Sequence, residues 1–404
     1  MDNAPPANET GRTTLHPPAV SVASSPRIAR PPSLPRRGLF KIVMGSGVLV
    51  GLLVLTNWNA THSPAYDRAV EAESRGDFPN ALRSALEHLD LRPWSRGASL
   101  MAARCLSRLD FAERAEHYYV RVRDPSIEDR HYRAYGLVRA NLRDRAVAAY
   151  REILDIAPSD VSALRFEAGV LLSQSRWDEA KSLAERLTAI SATPVRMLMP
   201  TNARGHWTLK YENLTSAPAI GFTLLGVVHH DVRDYDKAID AFERVLSLDP
   251  ELRSMPLAQN LFWAHLSEDL IEVGRPADAV RFLKPVVEAT ADVGLIDLMG
   301  RAYLQLSSLD EAERCWRQVL AIDPKPFTAH LNLGRLALQR GRPDEAIRSL
   351  TLALDISPRS YEANYSLGLA YRRIGRVDQA RRFEEKAAGL KQPASANDAT
   401  RPTP

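Results

Sequence analysis

Residues 327–360 read FTAHLNLGRLALQRGRPDEAIRSLTLALDISPRS, and residues 361–394 read YEANYSLGLAYRRIGRVDQARRFEEKAAGLKQPA. The two segments have the same length of 34 residues, and matching residues recur at the same positions in both. The recurring pairs are Leu333 with Leu367, Gly334 with Gly368, Gly341 with Gly375, and Ala346 with Ala380. A fixed period of about 20–50 residues indicates a repeat architecture, in which each unit packs on its neighbours.

Each repeat unit is predicted to form two helices. Phe222, Leu225 and His229 have the spacing of one helical stripe, and Ala238 and Phe242 begin the stripe of a second helix. A turn, often with glycine, separates the two stripes. Proline then ends the second helix, because proline lacks a backbone N–H and clashes with the preceding turn. The prolines in this position are Pro93, Pro158, Pro250, Pro324 and Pro358.

The pattern resembles the tetratricopeptide repeat (TPR) family, whose signature over 34 residues contains Leu-Gly, Tyr, Ala, Phe and Pro. Nine units are counted, with units 1–4 in residues 62–194 and units 5–9 in residues 219–394. The resemblance implies an all-α, right-handed superhelical solenoid of about nine helix hairpins. It also implies that the first helices of the units form a concave groove that binds a peptide or a partner protein.

The family's binding surface maps onto a row of polar side chains in the C-terminal units. One row passes through Glu268, Arg301, Arg335 and Leu369, which are spaced by one repeat. The predicted partner-binding residues of the groove are Arg301, Arg335, Arg372, Arg373, Asp297, Gln305 and Gln339. Because arginine binds carboxylates in a forked geometry, the functional interpretation is a site for an acidic or C-terminal segment. The alternative is a solvated face of mixed charge.

The charge distribution argues against a nucleic-acid partner. Six of the 53 Lys and Arg residues and two of the 49 Asp and Glu residues lie in residues 1–41, so the rest of the chain holds 47 of each sign. A neutral repeat region is not expected to bind a phosphate backbone broadly. The chain has two cysteines, Cys105 and Cys315, which are expected to be small core residues.

The N-terminal residues predict a tail and a membrane segment. Residues 1–38 form a basic, Pro-rich tail that is expected to be disordered. Residues 39–58 are 20 residues long and mostly apolar, which is enough for one transmembrane helix if Lys41 extends to the interface. The twin arginine Arg36-Arg37 also resembles an export signal. We therefore expect a single-pass anchor with a cytoplasmic N-terminus and repeats on the far side, which is periplasmic in a bacterium; the alternative is an exported soluble protein.

Two segments interrupt the repeat, and a third follows it. Residues 195–218 do not fit the pattern and are predicted to split the solenoid into four units and five. Their aromatic residues are expected to pack back on neighbouring helices, or alternatively to form a functional loop that enters the groove or contacts a partner. A second insertion, Arg253–Gln259, is predicted to lengthen the first helix of the next unit. Residues 395–404 are predicted to be a disordered tail.

The sequence contains no catalytic motif, and we expect neither an enzyme nor a bound cofactor or metal. His229 and His230 are adjacent, so on a helix they point about 100° apart and cannot easily share a ligand. His229 is expected in the core, and His230 on the groove. The predicted function is a membrane-anchored scaffold for a protein partner. The alternative is a substrate-presenting or regulatory subunit of an enzyme, export or assembly complex, for example of the cytochrome-maturation type.

Overall fold

The computed structural model describes residues 63–191, 195–203, 206–214, 216–253, 256–323 and 325–390. The chain divides into two compact units, residues 1–60 and 61–404, and all described residues belong to the second. The predicted tail at 1–38, the predicted membrane segment at 39–58 and the predicted tail at 395–404 lie outside the described residues. Of the helices that are described, none combines the length and apolar character needed to cross a membrane.

The described residues contain eighteen helices, which form nine consecutive pairs. In chain order they are α1 (Pro64–Ser74), α2 (Phe78–Leu91), α3 (Arg96–Arg108), α4 (Ala112–Tyr119), α5 (Ile127–Arg139), α6 (Arg143–Ile156), α7 (Val161–Ser173), α8 (Trp177–Thr188), α9 (Ala217–Asp231), α10 (Tyr235–Leu248), α11 (Gln259–Glu272), α12 (Pro276–Thr290), α13 (Val293–Gln305), α14 (Leu309–Ile322), α15 (Phe327–Gln339), α16 (Pro343–Ile356), α17 (Tyr361–Arg373) and α18 (Val377–Leu390). The odd-numbered helices are the first helices of the pairs, and the even-numbered ones are the second helices. The predicted helix hairpins are therefore confirmed.

Seven of the nine described first helices begin at a residue whose side chain caps them. The Ser126 hydroxyl accepts from the backbone N–H of Asp129, and the Asp129 carboxylate accepts from the N–H of Ser126, which forms a capping box on α5. A side-chain cap is also present on α1, α3, α7, α9, α13 and α17. Such caps satisfy N–H groups that have no partner inside the helix, and each stabilises a helix by about 1 kcal/mol.

A residue in the left-handed region lies at the turn of every described pair. Four of the nine turns use glycine there, and the other five use Asp110, Asn141, Ser175, Arg233 and Ser307, with φ between 57° and 63°. This conformation ends the first helix and redirects the chain into the second. Because side chains with a Cβ are disfavoured in it, the turns without glycine carry local strain.

Small residues let the two helices of a pair approach closely. A Cβ added at Gly300 of α13 would come within 2.8 Å of Trp316 Nε1 on α14, and one at Gly226 of α9 within 2.5 Å of Phe242 on α10. Trp316 and Phe242 are fully buried between their helices. The core is consequently a continuous row of contacts between successive helices rather than one central cluster.

The insertion at 195–218 forms a β-hairpin, which corrects the prediction of an all-α chain. Strands β1 (Val195–Ala203) and β2 (His206–Leu214) pair antiparallel, with Val195 opposite Leu214 and Ala203 opposite His206. On one face of the hairpin, Leu198 of β1 and Trp207 and Leu209 of β2 are buried, and Trp207 and Leu209 show the period of two that a search for helical repeats passes over.

The insertion interrupts the repeat in the sequence but does not split the helix packing. Helices α8 and α9, which flank the hairpin in the sequence, contact each other directly. Gly221 of α9 lies so close to α8 that an added Cβ would come within 2.7 Å of the Ala184 carbonyl oxygen. Four helix pairs precede the hairpin and five follow it, and the hairpin leaves and rejoins the stack without separating the fourth pair from the fifth.

Candidate functional site

The first helices of neighbouring pairs lie beside each other, for example α3 against α5, α7 against α9, and α11 against α13. We call the surface that these odd-numbered helices share the first-helix face. All seven predicted partner-binding residues lie on odd-numbered helices, α13, α15 and α17.

Arg301 is held by acidic residues of the preceding pair. Its Nη1 lies 3.4 Å from Glu268 Oε1, and its Nη2 lies 3.6 Å from Glu272 Oε1, both on α11. These half-exposed ion pairs neutralise much of the charge that the predicted basic row assigns to Arg301. The local surface is thus of mixed charge.

Three more of the predicted residues make internal contacts. Arg372 Nη2 donates to Glu384 Oε2 of α18 at 2.5 Å, and Arg373 donates to the carbonyl oxygen of Leu338 in the preceding pair. Asp297 accepts from Trp316 Nε1 at 2.9 Å. Burial raises the pKa of Asp297, and the hydrogen bond from Trp316 offsets part of this effect. These side chains connect helices and are less available to a partner.

Arg335, Gln305 and Gln339 are exposed on the first-helix face. In the part of the chain that the structure describes, Arg335 has neither an ion pair nor a hydrogen bond. The structure thus leaves Arg335 as the free cation of the predicted row, while Arg301 is paired.

The β-hairpin lies on the first-helix face of the N-terminal pairs. The Trp207 ring stacks on Tyr132 at a centroid distance of 5.9 Å and contacts the edge of Tyr135 at 4.9 Å, and both tyrosines belong to α5. Trp207 Nε1 donates to Asp110 Oδ1 at 3.1 Å. Tyr211 instead is exposed and lies under Arg196 of the neighbouring strand, at 4.2 Å. The expected packing of the aromatic residues on helices therefore holds for Trp207 and not for Tyr211.

Both outer edges of the hairpin bond to first helices. The Leu198 amide of β1 donates to Ser162 Oγ of α7 at 2.9 Å, and the Leu209 amide of β2 donates to Tyr132 Oη of α5 at 3.3 Å. Because outward and inward amides alternate along a strand, Pro200 falls in an outward position, where its missing N–H costs no bond between the strands. The hairpin is thereby fixed between α5 and α7.

A cavity of about 480 Å³ lies beside the hairpin, on the same face. Its lining comes from α5, α6, α7, α9 and the segment before α11, and is mostly apolar. Phe166 forms part of the wall and contacts Tyr135, which in turn contacts Trp207. A chain of three aromatic rings thus connects the cavity wall to the hairpin.

Arg165 of α7 is the buried cation of this cavity. Its Nη2 donates to the Pro256 carbonyl oxygen at 3.4 Å, while its Nε and Nη1 are buried and have no hydrogen-bond partner. The guanidinium lies 4.7 Å from the centre of the Phe166 ring. Burial lowers the pKa of Arg165, and nearby Tyr150 and Tyr135 offset part of the shift.

The contact to Pro256 corrects the prediction for the second insertion. Helix α11 begins at Gln259, so residues 256–258 do not lengthen it. Ala258 has extended backbone angles as the N-cap, and proline at 256 offers no N–H to a helix. Pro256 and Leu257 instead line the cavity.

His230 and Asp269 form a buried pair between α9 and α11. His230 Nδ1 lies 2.6 Å from Asp269 Oδ1, and the His265 ring lies 4.2 Å from the His230 ring. His229 is mostly buried, as expected. Burial alone would lower the pKa of His230, but Asp269, with help from Glu268 and Asp231, outweighs it and raises the pKa. Among the described residues, no group of three or more His, Cys, Asp or Glu side chains has the arrangement of a metal site.

Three models of the tetratricopeptide repeat family match the sequence. The first matches residues 133–193 and 298–360, the second residues 337–392, and the third residues 219–252. The matched stretches coincide with helix pairs of the structure. The chain contains tetratricopeptide repeats.

A similar curated protein is the O-mannosyl-transferase Tmtc3 of Drosophila melanogaster, at 36% identity over 103 residues. The match covers 25% of this TPR chain, which spans only 10% of the length of that relative. Among solved structures, a crystal structure of MamA is 26% identical and covers 41% of this chain and 94% of its own, with a TM-score of 0.36. A thermophilic TPR protein from Thermus thermophilus is 24% identical and covers 45% and 94%, with a TM-score of 0.37.

The functional features that sequence reasoning missed lie outside the repeat signature. Arg165 lies on a repeat helix, but its carbonyl partner Pro256 is 91 residues away along the chain. Tyr132 likewise contacts the hairpin 77 residues away. The signal in the sequence was that Arg165 and aromatic residues such as Tyr132 lie on the first helices of the two units that precede the first insertion.

Proposed function

We propose that this TPR protein is a scaffold that binds a segment of a partner protein along the first-helix face. The observation that carries the proposal is the mostly apolar cavity between α5, α7 and α9, on the side that adjacent repeats share. Cavities of roughly 300–1,000 Å³ with few polar groups are typical binding sites. In the C-terminal pairs, exposed Arg335 adds a charged side chain to the first-helix face.

We also propose that residues 39–58 anchor the protein in a membrane. The support is the sequence alone: 20 mostly apolar residues, which include Lys41 near their start, follow a stretch with five Arg residues and two acidic ones. Such a charge bias keeps the N-terminus in the cytoplasm and places the repeats on the other side. Cleavage of an export signal, which would release the repeats, is the competing outcome.

Proximity labelling from the C-terminus in the native host, combined with membrane fractionation, tests both proposals. A full-length band in the membrane fraction with a small, reproducible partner set supports an anchored scaffold. Failure to label any protein reproducibly contradicts the scaffold, and a soluble band shortened by about 60 residues contradicts the anchor. If the labelled set is one enzyme with its accessory proteins, the substrate-presenting or regulatory role is favoured.

The Arg335→Glu variant tests whether the predicted row contributes to binding. Loss of a charge-assisted hydrogen bond should weaken affinity for the captured partner by roughly tenfold without changing the thermal midpoint. Arg381→Glu, at an exposed position of the second helix α18, is the matched control. Arg301→Glu is a poorer test, since it places a third carboxylate beside Glu268 and Glu272. Equal affinity of the wild type and Arg335→Glu removes Arg335 from the site.

A further inference from the structure

The cavity beside α7 combines an apolar lining with a cation that has no counter-ion. Val170, Leu172 and Val227 contribute apolar surface, and among the described lining residues none is Asp or Glu. A second arginine, Arg143, lies at the same cavity, where it donates to the Ser173 carbonyl oxygen at 2.8 Å and to Asn141 Oδ1 at 2.9 Å. The charge of the cavity is therefore positive.

The hydrogen-bonding state of Arg165 differs from that of three arginines on the neighbouring first helices α3 and α5. Arg104, Arg108 and Arg133 each pair with a carboxylate of this chain. Arg165 has one long bond of 3.4 Å to a neutral carbonyl and two buried nitrogens without any acceptor. A buried donor without a partner destabilises the protein, so an acceptor that reaches these nitrogens gains affinity by satisfying them.

We propose that this cavity binds a partner segment in which an acidic side chain lies next to a large apolar side chain. The apolar side chain packs against Phe166, Val170 and Val227, and the carboxylate accepts from Nε and Nη1 of Arg165, the two nitrogens that have no partner. This inference rests on the proposed scaffold function and adds the chemistry of the bound segment. A cavity of about 480 Å³ has room for two side chains, which suits a short motif within an extended segment.

Gly169 provides a way to close the cavity without touching Arg165. It lies on the cavity wall in the middle of α7, and a Cβ added there meets no atom within 4 Å. In Gly169→Leu the new side chain extends into the cavity, and leucine has a higher intrinsic helix propensity than glycine. Gly389→Leu is the matched control, because Gly389 lies in α18 with equally open space. Both variants should fold.

The test uses the full chain with labelled Leu and Val methyl groups and two blocked dipeptides as probes. N-acetyl-Leu-Asp-amide carries the predicted pair of side chains, and N-acetyl-Leu-Asn-amide is its neutral counterpart. The Asp probe is expected to shift the methyl signals of Val170 and Val227 and to bind about tenfold more tightly than the Asn probe. Gly169→Leu should abolish these shifts, Gly389→Leu should leave them, and Arg165→Gln should remove the difference between the probes.

Three results would overturn the inference: equal binding of both probes to the wild type, no methyl shift from either probe, or unchanged shifts in Gly169→Leu. Its failure is distinguishable from failure of the scaffold. If Gly169→Leu retains the affinity of the wild type for a partner identified by proximity labelling, the cavity is not the site, although the scaffold function stands. If no partner exists but the Asp probe still binds selectively, the scaffold fails and the chemistry of the cavity is supported.

Discussion

Five of the nine described turns place a residue other than glycine in the left-handed region, and this makes stability adjustable at single positions. Ser307→Gly should stabilise the α13–α14 pair by about 1 kcal/mol, because serine has φ 57° there and glycine adopts this conformation without steric cost. The midpoint of urea unfolding measures the effect. Gly341→Ser, at the corresponding turn of α15–α16, should lower the midpoint by a similar amount. A lower midpoint for Ser307→Gly would contradict the argument.

The His230–Asp269 pair predicts a pH dependence at the α9–α11 contact. Since the folded pKa of His230 is raised above its ordinary value of 6.5, the pair adds stability that is fully present below pH 6.5 and lost as the pH rises through the folded pKa. The pKa of neighbouring His265 is lowered, chiefly by its burial and next by the charge of His230. His265 therefore resists taking up a second proton beside His230 at low pH.

An NMR titration of the histidine rings in Asp269→Asn measures this coupling. Removing the carboxylate should lower the pKa of His230, because Asp269 is fully buried and supplies the nearest negative charge. His229, whose pKa is lowered mainly by burial, is the internal control and should titrate as before. An unchanged His230 titration would show that the pair does not set its pKa.

At the scale of elements, the β-hairpin depends on one aromatic residue. Trp207→Ala removes the stack on Tyr132 and the hydrogen bond to Asp110, and should destabilise the docked hairpin by about 3 kcal/mol. The amides of Leu198 and Leu209 report docking, because both bond to helix side chains. Their hydrogen exchange should become roughly 100-fold faster. Trp94→Ala, at a side chain that is 77% exposed, should leave exchange unchanged; equal rates in both variants would mean that Trp207 does not hold the hairpin.

The elements that the sequence predicted are those with a local cause. Pro276 and Pro343 begin second helices, because their missing N–H groups need no partner in the first turn. The hairpin was not predicted, since its stability comes from Tyr132, Ser162 and Asp110, which are distant in the sequence. The predicted row lies on first helices, as the repeat period implies, but the ion pairs of Arg301 depend on the rotation of α11 against α13, which no single unit encodes.

At the scale of the whole repeat region, each pair packs mainly on its neighbours, so a defect should stay local. Gly300→Ala adds a methyl group 2.8 Å from Trp316 Nε1 and should destabilise the α13–α14 pair by about 1–3 kcal/mol. Hydrogen exchange measured by mass spectrometry should accelerate in α13–α16 and remain unchanged in α3–α8. Faster exchange along all described helices would show instead that the repeats unfold as one cooperative body.

The hairpin that lies between α5 and α7 is, in effect, a competitor supplied by the protein itself. It is joined to α8 and α9 by short connections, so its local concentration near the helices it covers is on the order of millimolar. An outside segment that needs Tyr132 or Ser162 must therefore bind far more tightly than this tethered strand pair. A segment that enters beside Gly169 faces no such competitor. The N-terminal pairs thus present two neighbouring surfaces, and a segment needs a higher affinity to bind the surface under the hairpin than to bind the cavity beside Gly169. If a segment binds at each surface, the cavity is filled first.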